Sequence, residues 1–277
     1  MLFFFVFTFN KKPLFLSANQ FMQRQTCSNC GHIYTDSFCN QCGQKAVHRY
    51  TVSHVVHELV HVFTHADKGI FSFAWNIVKK PGSIALDFVE GRRKRHFNLF
   101  QYLIIIVGIV TFLIAKTDFF DNTLKNLNAV GNAKLSIRQA QVQQDAMQLF
   151  QKYNNIVQML LIPLFAFWGW LFVTRKKYNY AETVVLHIAS SAQTNTLALL
   201  TTLFMFWGSS LSAFVYITAL SMGIMLYSFT VSYHQFMKLP VWKAFLYSLA
   251  VFLCSYILQI ILTSIFVAVY VFFLSRK

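Results

Sequence analysis

Apolar residues in this chain gather into long uninterrupted runs instead of recurring at a helical or strand period. A run of about 18 or more apolar residues can cross a bilayer as a helix. The pattern predicts five such spans, at about 99–115, 156–173, 183–207, 211–233 and 244–274. At about 1.5 Å per residue the last exceeds a ~30 Å hydrocarbon core, so it is expected to tilt or project. Residues 117–155, between the first two spans, are rich in Asn, Gln and Lys and read as an extramembrane segment, with 139–152 helical.

The N-terminal third is patterned differently. Val52, Val55, Val56, Leu59, Val60 and Phe63 fall at helical spacing and predict a helix over 51–66. Residues 70–78 are apolar and aromatic but too short to span, and Pro81-Gly82 is expected to close them. They read as an interfacial or docked helix. The apolar stretch 1–9 is followed, not preceded, by Lys11 and Lys12, which is the reverse of a signal peptide. Residues 1–21 are therefore expected to be an extension ahead of a start at Met22. The expected organisation is this extension, a cysteine module at 22–46, a collar of amphipathic helices and basic residues at 47–97, and a transmembrane domain at 98–277.

Composition agrees with lipid as the solvent. Hydrophobic residues make up 56% of the chain, with 31 Phe, and charged residues only 12%, about half the usual share for a soluble domain. The net charge of +15, from 24 Lys+Arg against 9 Asp+Glu, could point to nucleic acid in a soluble protein. Here much of it lies in short blocks beside the apolar runs, Arg92-Arg93-Lys94-Arg95 and Arg175-Lys176-Lys177. That placement reads as membrane topology, with basic residues on the cytoplasmic side and near anionic headgroups. No nucleic-acid partner is expected. Five spans with the N-terminus inside put both blocks, and the Lys238 and Lys243 loop, on the cytoplasmic face; Arg276 and Lys277 at the far end fit less well, and a sixth span would accommodate them.

Cys27-x-x-Cys30 and Cys39-x-x-Cys42 supply four sulfurs in two close pairs, each followed directly by glycine, Gly31 and Gly43. Zinc takes four tetrahedral ligands, and each C-x-x-C turn can present two. Glycine there lets the backbone turn so that its amides face the sulfurs. The alternatives are two disulfides, which need an oxidising compartment, or a redox dithiol, which belongs in a βαβ setting that is absent. The expectation is one structural Zn2+ per chain held by Cys27, Cys30, Cys39 and Cys42, with all four positions closed and none open for catalysis. Cys254, alone in the last span, reads as a buried thiol.

Two further groups carry possible chemistry. His54, His57, His61 and His65 fall in one window, and residues 57–61 read His-Glu-Leu-Val-His. Two imidazoles one turn apart can bind zinc while Glu58 acts as a base on bound water. A third protein ligand has no recognisable source, so a polar helix face is the plainer reading of the pattern. In the third span, Glu182, His187, Ser190, Ser191, Gln193, Thr194, Asn195 and Thr196 are costly groups to place in hydrocarbon. They either line a solute or proton path or join helices by hydrogen bonds, and the second reading is favoured.

The Cys27-x-x-Cys30-Gly31 and Phe38-Cys39-x-x-Cys42-Gly43-Gln44 motifs, Pro81-Gly82, Gly91-Arg92-Arg93-Lys94-Arg95 and Tyr180-Ala181-Glu182 resemble the bacterial domain of unknown function 3667 family. The basic motif of that family usually ends in Tyr where this chain has His96. The resemblance implies an N-terminal zinc ribbon followed by several membrane helices, and it brings no activity. The combined expectation is an all-α, multi-pass protein of the bacterial inner membrane with about five transmembrane helices, its N-terminus cytoplasmic. Its ribbon would serve for contact with a protein partner or the lipid surface and not for catalysis. A small-solute transporter or channel and a membrane metalloprotease using His57, Glu58 and His61 stand as alternatives.

Overall fold

Between Arg24 and Ala46 only dipeptides form regular strands: β1 (Gln25–Thr26) and β2 (Ile33–Tyr34) pair antiparallel, with Gln25 opposite Tyr34 and Thr26 opposite Ile33. One further bridge joins Phe38 to Lys45. The computed structural model describes residues 24–46, 51, 69–117, 145, 156–206 and 210–275. The chain divides into two compact units, Met1–Val47 and His48–Lys277. Among the described residues of the first, the core is minute, with Cys27, Tyr34 and Cys39 buried and Cys42 and Ala46 packed against them. A stretch as short as 24–46 usually needs a staple to fold, and the clustered sulfurs are the candidate for it.

The second unit is helical: α1 (Ile70–Lys79), α2 (Pro81–Val89), α3 (Leu99–Ala115), α4 (Ile156–Thr174), α5 (Tyr180–Met205), α6 (Leu211–Met237) and α7 (Val241–Ser275). Each span predicted from the apolar runs falls on a helix among the described residues. Three contain stretches long and apolar enough to cross a membrane: Ile156–Thr174, Ser212–Met237 and Val241–Ile265. The α3 helix is apolar but has 17 residues, and α5 has 26 but is diluted by polar side chains. Leu160, Leu164, Leu220, Leu253 and Ile257 are all exposed. Such a surface suits hydrocarbon and would be poorly solvated by water.

Helix ends follow local chemistry. Asn98 accepts from the Phe100 and Gln101 amides at the start of α3. Asn179 and Glu182 form a reciprocal capping box on α5, each side chain accepting the other's backbone N–H at 2.8 Å. The last turn of α4, Trp170–Thr174, is a π turn.

The apolar segment closes where expected: α1 ends at Lys79, and the chain breaks at Lys80 (φ −135°), the residue before Pro81. What the sequence did not predict is that the chain re-enters a helix at once, α2, with Pro81 in its first turn. Proline disfavours helix in the residue before it, yet its fixed φ and missing N–H suit a first helical position. The break is stitched from afar. Gln235 of α6 donates through Nε2 to the Lys79 carbonyl (2.9 Å), and its Oε1 accepts from the Gly82 and Ser83 amides (3.1 and 3.3 Å). Gln193 of α5 donates to the Val78 carbonyl at 2.7 Å. Backbone groups left unpaired by two helix ends are thus satisfied by two amide side chains. The α5 helix is the hub of the unit, with α1, α2, α3 and α6 packed on it, and α7 packs on α6.

Candidate metal centre

The two cysteine motifs fold into the same turn twice. The Gly31 amide donates to the Cys27 carbonyl and the Cys27 amide to that of His32, each at 2.8 Å. The Gly43 amide donates to the Cys39 carbonyl and the Cys39 amide to that of Gln44, also at 2.8 Å. Both glycines have positive φ, +77° and +68°, the region where a side chain is strained. The glycine in each C-x-x-C-G is therefore required by the turn.

This duplication brings the four sulfurs together. Cys27 and Cys42 Sγ lie 3.6 Å apart, as do Cys30 and Cys39 Sγ, and all four fall within 4.8 Å of one another. An S–S bond is about 2.05 Å, and all five cysteines of the chain carry free thiols. Four ligands at about 2.3 Å from a central ion would stand about 3.8 Å apart, so the spacing is that of a coordination tetrahedron. Each pair joins one cysteine of the first motif to one of the second, so a central ion would lock the two turns together.

The thiols are electrostatically unequal. A side-chain hydrogen bond with Asn29 and a backbone hydrogen bond from Gln44 lower the Cys42 thiol to about 6. At Cys30 a backbone hydrogen bond from His32 pulls downward, but desolvation and the neighbouring sulfurs push the thiol up to about 12. Four thiolates this close repel one another, and a divalent cation is what would allow all of them to ionise. The cluster could hold a metal ion, and its donor set, all sulfur, fits a soft or borderline one.

The remaining candidates resolve differently. His54, His57, Glu58, His61 and His65 lie outside the described residues. In α5, Gln193 ties to α1 and the Thr196 hydroxyl meets Tyr102 Oη of α3 at 2.8 Å. Thr194 and Asn195 bond back to the carbonyls of Ser190 and Ser191. His187 is buried against α6, with Nε2 2.9 Å from Tyr233 Oη. A cavity of about 40 Å³ beside Ser191, Thr194 and Asn195 has room for little beyond water.

One constellation was not anticipated from the sequence. Asp87 at the end of α2 accepts from Arg92 Nε and Nη2 (2.8 and 2.6 Å) and pairs through its other oxygen with His96 Nε2 at 2.8 Å. Gly91, at φ +88°, lets the chain turn back for this contact. His96 in turn stacks on Phe88. The basic block thus includes a folded clasp, and the acid five residues before Arg92 was its only trace in the sequence. Desolvation pushes the Asp87 carboxyl upward, but hydrogen bonds from His96 and Arg92 outweigh it and hold the group below the usual carboxylate range. Asp87→Asn is expected to cost about 1–2 kcal/mol at neutral pH. With a folded pKa below the unfolded ~3.9, that contribution is present above pH ~4 and lost as pH falls through the folded value. Melting temperatures of the two proteins should therefore converge in acid; a gap that persists there would assign the effect to packing.

The fold and site together define a mostly helical protein with membrane-compatible helices and an N-terminal four-cysteine cluster. Residues 67–111 match a family described as "Protein of unknown function (DUF3667)". This stretch, from just before α1 through most of α3, bears out the resemblance drawn from the sequence motifs. Neither the curated proteins nor the solved structures compared with this chain gave a match.

Proposed function

We propose that this chain is a multi-pass membrane protein of about five spans whose N-terminal ribbon holds one structural zinc ion. In this reading the ribbon serves for contact with a partner or the membrane surface, and the protein is not an enzyme. The observation that carries it is the convergence of four cysteine sulfurs within 4.8 Å in a unit whose described residues form almost no apolar core. Four thiolates fill a tetrahedral zinc shell and leave no position for substrate or water. The ribbon belongs on the cytoplasmic side, where thiols stay reduced and where the basic block ahead of α3 is retained. The family resemblance points to a bacterial inner membrane.

Metal analysis of detergent-purified protein tests the reading. One zinc per chain is expected, lost in the Cys27→Ser/Cys30→Ser variant. Metal-free wild-type protein, or metal retained by the variant, would overturn it.

A further inference from the structure

Helix α1 has two apolar faces, and among the described residues only one is covered. Phe73 and Ile77 are buried in the bundle core. Phe71 and Trp75, at i and i+4 on another face, are 88% and 64% exposed. Lys79 continues that stripe at i+8, and its Nζ lies 4.1 Å from the centre of the Trp75 ring. Lys80 follows, also exposed. No acidic residue occurs between Gly69 and Asp87, so the stripe ends in uncompensated positive charge within its own segment.

We infer that the Phe71–Trp75–Lys79 stripe is a membrane-interface anchor whose occupant is anionic phospholipid. The aromatic rings would enter the boundary between headgroups and acyl chains, and the Lys79 and Lys80 ammonium groups would meet the phosphates. The inference rests on the membrane reading proposed above and adds a specific lipid contact to it. Tryptophan favours that boundary because its ring is apolar while its N–H needs a polar partner. Lysine lays its apolar stem along such a surface and extends its charge to the headgroups. A helix of 10 residues is about 15 Å long, half of what crossing requires. A bare aromatic stripe on so short a helix, in the same unit as three membrane-compatible helices, is suited to lipid at its boundary. Its one-sided charge complements an anionic headgroup layer.

The full chain, reconstituted in phosphatidylcholine–phosphatidylglycerol vesicles with acyl chains brominated near the carbonyl, tests this by tryptophan fluorescence. The difference between wild type and Trp75→Phe isolates Trp75 emission. That component should be largely lost on bromination and spared by aqueous iodide, and Lys79→Gln/Lys80→Gln should reduce its quenching by brominated lipid. Quenching by iodide with none by lipid would place the stripe in water. Shielding from both would mean a protein, or a second copy of this chain, covers it. Either result overturns the inference. The remaining tryptophans, Trp168, Trp170 and Trp242 among them, act as a control. If Trp75→Phe protein is also unquenched by brominated lipid, the membrane reading itself fails; if only the Trp75 component is unquenched, the interface anchor alone fails.

Discussion

Cys39→Ser should abolish metal binding and unfold the N-terminal unit while leaving the helical unit intact. Cys39 is almost fully buried, lies 3.6 Å from Cys30 across the cluster, and donates and accepts the backbone bonds of the second turn. Zinc binding in small ribbons is worth about 10–16 kcal/mol near pH 7, and it doubles as folding free energy because the site does not exist in the unfolded chain. Nothing else among the described residues of this unit approaches that scale, since their core is three buried residues and their strands are two residues each. A serine oxygen is a poor substitute for a thiolate, and an ion held by three sulfurs no longer locks the two turns together. Hydrogen exchange makes the expectation specific. The amides of Cys27, Gly31, Cys39 and Gly43, all bonded within the turns, should lose protection in the variant or after strong chelation. Amides of α5 and α6 should keep theirs, because the two units are separately compact. Ribbon amides that remain protected without metal would show that the turns hold themselves.

The same contrast explains what could be read from the sequence. C-x-x-C-G is a local instruction: sulfurs, glycine and the turn they need lie within five residues, so the motif predicts the knuckle almost completely. The apolar runs are legible for a similar reason, since each span satisfies its own backbone. The joint between α1 and α2 is not local. Its stitching residues, Gln193 and Gln235, lie more than 100 residues away, and nothing at Pro81 announces them. Pro81 marks the end of α1 as the sequence suggests, while its second role, starting the helix that follows, shows only once α2 is seen. The polar character of α5 was visible, but its purpose depended on which neighbour each side chain met. Gln193 and Thr196 join helices, Thr194 and Asn195 turn back on their own backbone, and His187 pairs with Tyr233. The Asp87 clasp was hidden because Arg92 reads as topology, His96 as a departure from a family motif, and Asp87 carries no signal of its own.

Gly82→Ala is the substitution expected to damage the helical unit most for its size. A methyl group built at Gly82 would collide with the Ser232 carbonyl oxygen and lie 2.8 Å from Gln235 Cβ and 2.9 Å from the Phe236 amide nitrogen. Two of these atoms belong to the α6 backbone and cannot rotate away, so α2 and α6 must separate. Overpacking alone costs about 1–3 kcal/mol. Separation would also stretch the Gln235 bonds to Gly82 and Ser83, each worth about 1 kcal/mol. Gly108→Ala is the matched control, because a methyl there meets nothing within 4 Å and alanine favours a helix interior by about 0.5–1 kcal/mol. Thermal unfolding in detergent should therefore move in opposite directions for the two variants. Gln235→Ala removes the stitch without the clash and should be milder than Gly82→Ala. If both act by opening the same joint, their effects in the double variant should fall short of the sum. Additive effects would mean that the glycine contact and the glutamine stitch hold α2 independently, and that the close approach of α2 to α6 does not depend on the amide bridge.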